Sequence, residues 1–197
     1  MRNEHDARDS GVWSEATVRF VPKLKGACYP RQYRPIALLP ILYRLYSRIL
    51  LHVTKDRLDQ LVAPQFAFRR NYQAAECIFI LTQLIEKHVE WDMPLCVCDG
   101  DVYKAYDETN HIRVCNALIG KQAPQWVVGA WMRDILESRS TFRLDQEAQT
   151  RPVYRTKSLL QGGPAAPAIF NAALDDAAAS FTNHCDKKGL GVKISKI

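Results

Sequence analysis

The sequence lacks the features that mark membrane-spanning, secreted and zinc-binding proteins. Its 197 residues contain no long uninterrupted apolar run, because Arg, Lys or Pro breaks each one, so no membrane-spanning helix is expected. The first residues are polar and contain no apolar signal core. None of the six cysteines forms a C-x-x-C pair, and no His lies at zinc-finger spacing from them. We therefore predict an intracellular protein, nuclear or cytoplasmic, with buried free thiols.

Internal repeats, low-complexity tracts and a clear linker are also missing, which favours one α+β unit. Hydrophobic residues make up 47% and charged residues 24% of the chain, as in ordinary globular proteins. The formal net charge of +6 permits attraction to a phosphate backbone. On charge alone, a basic domain that binds no nucleic acid stays equally open.

Hydrophobic periodicity predicts several helices and short strands. Helices are expected from Pro40, at 74–90, at 111–120 after an Asn110 cap, from Pro124 to Glu137, and from Pro167 to Cys185. Strands are expected at 17–23, 94–99, 139–146, 151–158 and 191–196. Residues 25–35 are rich in Gly, Pro and basic side chains, which predicts a loop.

Carboxylates follow the apolar run at 94–99, where a buried strand is expected to emerge. Asp99 and Asp101 would share one face of that strand. Buried charges must be paired or must bind metal, and a hard divalent cation prefers oxygen ligands. A turn of solvated acids after an edge strand is the alternative, and composition alone favours it.

Residues 101–107, DVYKAYD, resemble the D-x-x-K-A-[FY]-D box of the reverse transcriptases of non-LTR retrotransposons and group II introns. The resemblance implies that Asp101, rather than Asp99, is catalytic and binds the metal ions, Mg²⁺ or Mn²⁺, that the intact enzyme uses in phosphoryl transfer. It also implies that Tyr106 lies under the sugar of the incoming nucleotide and selects deoxynucleotides. A packed core tyrosine is the alternative for Tyr106.

Two segments nearer the N-terminus resemble the same family. VPK at 21–23, followed by YRPIALL from residue 33, is similar to I-P-K and [FY]-R-P-I-S-L-L. This match implies that Arg34 and Lys23 bind the triphosphate of the nucleotide, which suits a planar guanidinium. A surface Arg in a loop is the alternative interpretation.

Residues 65–69, QFAFR, are similar to Q-x-G-F-R, with Ala67 in place of the usual Gly. The match implies that Gln65, Phe68 and Arg69 contact the nucleic-acid template. A backbone with positive φ at residue 67 would suit glycine better than alanine.

Residues 160–171, LQGGPAAPAIFN, resemble the family's Q-G-x-P-x-S-P-x-L-F-N box. This implies that Gln161 and Gly162 line the nucleotide pocket beside Tyr106. Gly163 and Ala166 replace the common Asp and Ser of the box. A Gly/Pro turn before a helix is a second interpretation, which does not exclude the first.

The resemblance implies an α+β fold: the fingers and partial palm of a right-hand polymerase, with an antiparallel palm sheet packed on helices. We expect a polar, disordered leader at 1–16, a fingers-like region at 17–92 and a partial palm at 93–197. The palm would be incomplete at the C-terminus, because the family's aromatic-x-Asp-Asp motif does not occur there. The pair Asp175–Asp176 lies in a predicted helix and is interpreted as solvated or structural.

The expected function is that of a mobile-element RNA-directed DNA polymerase fragment, little active by itself. Its partners would be an RNA template, a DNA primer and deoxynucleoside triphosphates, with no membrane and an open oligomeric state. The alternative is a non-catalytic basic module that binds nucleic acid. A relative of RNA-dependent RNA polymerases is a third possibility, which Tyr106 and the Gln161–Gly162 pair disfavour.

Overall fold

The computed structural model of the chain describes residues 15–61, 65–143 and 148–191. The helices found in these residues are α1 (Ile41–Leu58), α2 (Ala74–Glu90), α3 (His111–Gly120), α4 (Gln125–Leu136) and α5 (Ala166–Lys187). The strands are β1 (Glu15–Pro22), β2 (Tyr33–Leu38), β3 (Arg139–Arg143) and β4 (Val153–Tyr154). None of the helices within the described ranges is both long and apolar enough for a membrane span.

The helices follow the predicted periodicity closely. Each of the five begins within two residues of its predicted start, and each predicted end is also met within two residues. Asn110 caps α3 as expected, since its side-chain oxygen accepts a hydrogen bond from the Ile112 backbone N–H at 2.8 Å. Pro40 and Pro124 stand at the N-caps of α1 and α4. Local sequence signals therefore set most of the helical boundaries.

The four strands form one mixed sheet in the order β2-β1-β3-β4. β1 pairs antiparallel with β2, and Thr17 lies opposite Leu38. β1 also pairs with β3, in parallel, and Glu15 lies opposite Arg139. The prediction of an antiparallel sheet is therefore wrong for the central pair. Parallel pairing became possible because the long crossover from β1 to β3 carries four helices.

The core lies mainly in a helical layer. Its members come from α1, α3, α4, α5 and the segment before α5, and the largest are Leu50, Leu118, Val127, Trp131 and Ile169. A smaller apolar cluster lies under the sheet and contains Ala16, Val18 and Ala37. Leu160 packs against this second cluster and Leu159 belongs to the first. The segment at 158–163 therefore lies between the two apolar clusters.

A buried ion pair fastens α5 to the helical layer. Asp175 is fully buried, and its Oδ2 accepts a hydrogen bond from Lys121 Nζ at 2.5 Å. Lys121 Nζ also donates to the carbonyl of Gln60. Asp176, the next residue, is exposed. The first acid of the pair is thus structural and the second is solvated.

α2 contributes no side chain to either cluster. Although it has an amphipathic sequence, none of its residues is buried, and Ile78, Phe79 and Val89 are largely exposed. Its start is stabilised locally, because Glu76 accepts a hydrogen bond from the Gln73 backbone N–H at 3.2 Å. The helix is therefore set by its own sequence rather than by packing.

The prediction of a buried strand at 94–99 is wrong. Residues 93–102 form no strand, and Cys96, Val97 and Cys98 are exposed. A strand needs a neighbour to satisfy its N–H and C=O groups, and no strand in the described parts of the chain lies beside this segment. The expectation of buried thiols also fails, since none of the six cysteines is fully buried.

No strand was predicted at β2. Its first half lies in the expected loop at 25–35, and its second half was assigned to no element. Pro35 lies within β2, opposite Phe20 of β1. Pro lacks a backbone N–H and is tolerated in an edge strand, where one side makes no ladder bonds. The 139–146 strand is seen as Arg139–Arg143, and the 151–158 strand is reduced to Val153–Tyr154.

The division into leader, fingers and palm stays a prediction. The sheet takes β1 and β2 from the region at 17–92, and β3 and β4 from the region at 93–197. Residues 1–14 of the predicted leader lie outside the described residues, and so does nearly all of the predicted strand at 191–196.

Candidate nucleotide and template site

Asp101 lies in an exposed segment. It is solvent-exposed, as is Asp99, and the chain then makes a series of turns over residues 103–108. Lys104 adopts a positive φ of 45° in these turns, and its carbonyl accepts a hydrogen bond from the Glu108 N–H at 2.9 Å. The carboxylate of Asp101 is therefore freely accessible but is not held at the end of a strand.

Tyr106 is half-buried against the start of α5. Its ring centroid lies 5.3 Å from that of Phe170, with the two planes tilted by 42°. Burial raises the pKa of the Tyr106 phenol, so the hydroxyl stays protonated at neutral pH. Tyr106 therefore packs against the helical core, as the alternative interpretation has it, and part of its surface stays accessible.

Two main-chain hydrogen bonds join the Tyr106 turn to the segment at 158–163. The Leu159 N–H donates to the Tyr106 carbonyl at 2.9 Å, and the Ser158 N–H donates to the Thr109 carbonyl at 2.8 Å. His111 Nε2 lies 3.1 Å from the Ser158 carbonyl and adds a side-chain bond. The turn and the segment are therefore one rigid unit.

The other side of the same segment is joined to β2. The Ala37 N–H donates to the Gln161 carbonyl at 2.8 Å. Gly162 has a φ of +114°, and a Cβ placed on it would lie 2.6 Å from the Ala37 carbonyl oxygen. Only glycine permits this conformation and this close approach together. We name the set formed by the Tyr106 turn, residues 158–163 and β2 the main-chain joint.

Arg34 and Lys23 lie at the end of the β1–β2 hairpin that the loop at 23–32 closes. Arg34 is exposed on β2 and stands opposite Val21 in the register. Lys23 is also exposed, and its N–H donates to the Gln32 carbonyl at 2.8 Å. Both cations are close in the hairpin, and Arg34 is on the strand that forms the main-chain joint. The structure therefore connects Arg34 with Gln161 and Gly162 through a single strand.

The segment at 65–72 is held by Arg69. Its Nη1 donates to the Gln65 carbonyl at 3.1 Å and its Nη2 donates to the Asp59 carbonyl at 3.3 Å. The guanidinium also lies 4.2 Å from the ring centroid of Tyr72. These bonds position the segment, so Arg69 has an internal structural task whatever its role toward a template.

Phe68 carries the positive φ that was considered for Ala67. Its φ is 58°, and 68% of its surface is exposed. Asn171 of α5 donates through Nδ2 to the Ala67 carbonyl at 2.7 Å and thereby links this segment to the helix after Gly162. Asn171 ends the segment at 160–171 that resembles the family box, so the sequence did mark this residue. Nothing in the sequence indicated that its side chain binds the Ala67 carbonyl.

Arg155 is a second residue that the sequence did not single out. Its Nε donates to Ser140 Oγ at 2.8 Å and its Nη1 donates to Ser158 Oγ at 3.0 Å. Burial lowers the pKa of the guanidinium, which Asp107 partly offsets. Arg155 thus ties β3 to the main-chain joint, and no pattern in the sequence indicated this.

The described residues do not assemble a metal site around Asp101. Within 15–61, 65–143 and 148–191, no group of three or more His, Cys, Asp or Glu side chains is placed to hold a metal ion. A hard divalent cation needs several oxygen ligands, and one exposed carboxylate is not a full set. The residues present therefore do not fit a two-metal centre by themselves.

Comparison with known proteins decides the family. A model of the reverse transcriptase (RNA-dependent DNA polymerase) family matches residues 21–195. The chain belongs to the reverse transcriptase family. The predicted family is therefore confirmed, and the chain is a reverse transcriptase domain of the non-LTR retrotransposon type.

Two relatives of this reverse transcriptase domain share one description, Retrovirus-related Pol polyprotein from type-1 retrotransposable element R2. The protein from Popillia japonica is 27% identical over 172 residues, which cover 83% of this chain and 23% of the relative. The protein from Nasonia vitripennis is 25% identical over 156 residues, which cover 79% and 15%. The chain thus spans less than a quarter of either relative.

Proposed function

We propose that this reverse transcriptase domain carries nucleotide-binding and template-binding surfaces of an RNA-directed DNA polymerase. The observation that supports the proposal most directly is the main-chain joint. It connects Tyr106, the Gln161–Gly162 pair and the strand of Arg34 through short backbone hydrogen bonds. Three segments that are far apart in sequence are thereby fixed side by side without relying on flexible side chains.

Arg34 and Lys23 would bind the triphosphate of an incoming deoxynucleotide. Both are exposed and cationic, and the guanidinium can donate two parallel hydrogen bonds to a phosphate. Tyr106, which is only partly buried against Phe170, would contact the sugar. Gly162 would place the Gln161–Gly162 backbone beside β2 at the edge of the nucleotide pocket, because its missing side chain leaves room for the Ala37 carbonyl.

Asp101 is the carboxylate that we propose for the catalytic centre. Reverse transcriptases use divalent metal ions, and a complete centre needs more carboxylates than the described residues bring together. We therefore expect the isolated chain to extend a primer weakly or not at all. Binding of template, primer and nucleotide can be measured separately from extension.

Binding of a labelled deoxynucleoside triphosphate to the chain with an RNA template and DNA primer tests the nucleotide surface. Arg34→Ala should weaken binding about tenfold, because it removes a charge-assisted contact of about 1.5 kcal/mol. Lys187→Ala is the control, since this exposed lysine lies about 30 Å along α5 from the Gly162 end. Equal losses in the two variants would show a general charge effect and refute the site.

Primer extension with Mg²⁺ or Mn²⁺ tests the role of Asp101. Any extension should disappear with Asp101→Asn and persist with Asp99→Asn, because both acids are exposed on the same segment but only one matches the family box. Extension that survives Asp101→Asn would assign the catalytic acid elsewhere.

A non-catalytic nucleic-acid-binding module is the second candidate. Two observations favour it. The described residues bring no set of metal-binding side chains together around Asp101, and the formal net charge of the chain is +6. Such a module would bind a primer–template duplex with an affinity that falls as salt increases, but it would not bind deoxynucleotides in a saturable way. Duplex binding that is insensitive to salt would count against both candidates.

A further inference from the structure

A cavity of about 40 Å³ lies behind the main-chain joint. It is bounded by α1, α4, the segment at 158–163 and the first turn of α5. Polar side chains reach it from three of these elements. They are Tyr43 and Ser47 on α1, Trp131 and Asp134 on α4, and Ser158 in the joint, and Ser138, just after α4, lines the cavity as well.

Two polar atoms of this lining have no protein partner among the described residues. Trp131 is 2% exposed, and its indole Nε1 donates to nothing there. Asp134 Oδ2 is buried and accepts from nothing in the same part of the chain. Buried polar groups in folded proteins are almost always hydrogen-bonded, to protein or to ordered water. One unpaired donor and one unpaired acceptor in the same cavity therefore indicate a bound molecule.

The chemistry of the two atoms selects the class of that molecule. The indole needs an acceptor and the carboxylate oxygen needs a donor, so the occupant must do both. A metal cation would leave the indole unpaired, and an anion would be repelled by the carboxylate. Water satisfies both atoms, and a cavity of this volume exceeds the roughly 10–15 Å³ that one water molecule requires.

We infer that the cavity binds an ordered water molecule, which accepts a hydrogen bond from Trp131 Nε1 and donates one to Asp134 Oδ2. The water bridges two side chains of α4 beneath the segment that carries Gln161 and Gly162. It thereby forms part of the support of that segment. Burial raises the pKa of Asp134 to about 6, so the carboxylate is still mainly ionised, and an acceptor, above neutral pH.

Nuclear magnetic resonance of the ¹⁵N-labelled 197-residue chain at pH 7.5 tests the site directly. The chain has four tryptophans, and the indole N–H signal of Trp131 is assigned by its loss in Trp131→Phe. We expect a cross-peak between this indole proton and a long-lived water molecule. Trp126 on the same helix is 61% exposed and should show contact only with rapidly exchanging water.

Two substitutions of Asp134 distinguish a bridging water from a direct contact between side chains. Asp134→Asn keeps an acceptor oxygen and should retain the water cross-peak, whereas Asp134→Leu removes every acceptor and should lose it. A wild-type spectrum without the cross-peak, or a high-resolution crystal structure with no density in the cavity, would overturn the inference. So would a protonated Asp134 that donates to a neighbour directly. The wild-type measurement decides even where the leucine variant fails to fold.

Discussion

Gly162→Ala is expected to destabilise the fold strongly, for two reasons that both lie in the backbone. Residue 162 has a φ of +114°, which costs a residue with a Cβ about 1–3 kcal/mol. The new Cβ would also lie 2.6 Å from the Ala37 carbonyl oxygen, so β2 must move away. That movement breaks the hydrogen bond between Ala37 and Gln161, worth about 1 kcal/mol. Together these effects predict a loss of about 2–4 kcal/mol.

Urea denaturation followed by circular dichroism measures this loss. With a slope of about 2 kcal/mol per molar urea, the midpoint should fall by about 1–2 M. Gly129→Ala is the matched control, because Gly129 lies within α4 and a methyl group added there would meet no atom within 4 Å. Alanine there should stabilise the helix by about 0.5–1 kcal/mol. A Gly162→Ala midpoint equal to that of the wild type would refute the close approach that defines the main-chain joint.

Three further predictions concern Asp175, Asp134 and Asn171. Asp175→Ala should cost about 2–4 kcal/mol, because it leaves the mostly buried ammonium of Lys121 without its carboxylate partner. Asp176→Ala, at an exposed position, should change stability by less than about 0.5 kcal/mol in the same urea assay. The pKa of Asp134 is about 6 in the folded state, above its value in the unfolded chain, so the folded state binds this proton more tightly. The free energy of unfolding should therefore fall as pH rises from about 4 to 6. Solvent screening reduces that fall to about 1–2 kcal/mol, and Asp134→Asn should remove it from thermal unfolding curves recorded across this pH range. Asn171→Ala frees a loop carbonyl, and we expect proteolysis within residues 65–72 to become faster while α5 stays intact; an unchanged cleavage pattern would contradict the assigned contact.

The helices were predictable because their signals are local. Apolar spacing, Asn110 and the prolines at 40 and 124 act within one or two turns, and the structure follows them. The buried position of Asp175 was not predictable. Its Ala-rich helix has no strong apolar stripe, so the pattern could not show which acid faces Lys121.

The strands were less predictable because each depends on a distant partner. β2 contains Pro35 and a basic residue, and it forms because β1 supplies the opposite ladder. The run at 94–99 has the composition of a strand but has no neighbour within the described residues, and it stays irregular. For the site, the family motifs named Tyr106, Gln161 and Gly162, whereas the contacts made by Arg155 and Asn171 required coordinates.

The segment at 158–163 is anchored on both sides by peptide groups, which every amino acid except proline supplies in full. These hydrogen bonds therefore do not depend on the chemistry of its side chains, although Leu159 and Leu160 also pack in the two apolar clusters. Gly163 and Ala166 differ from the family box, yet the backbone N–H of each still donates a hydrogen bond, to the Leu160 and Gly163 carbonyls. Along this stretch, substitution should be restricted at Ser158, which has a φ of 101°, at the buried Leu159 and at the glycine that abuts β2, and it should be tolerated better at Gln161.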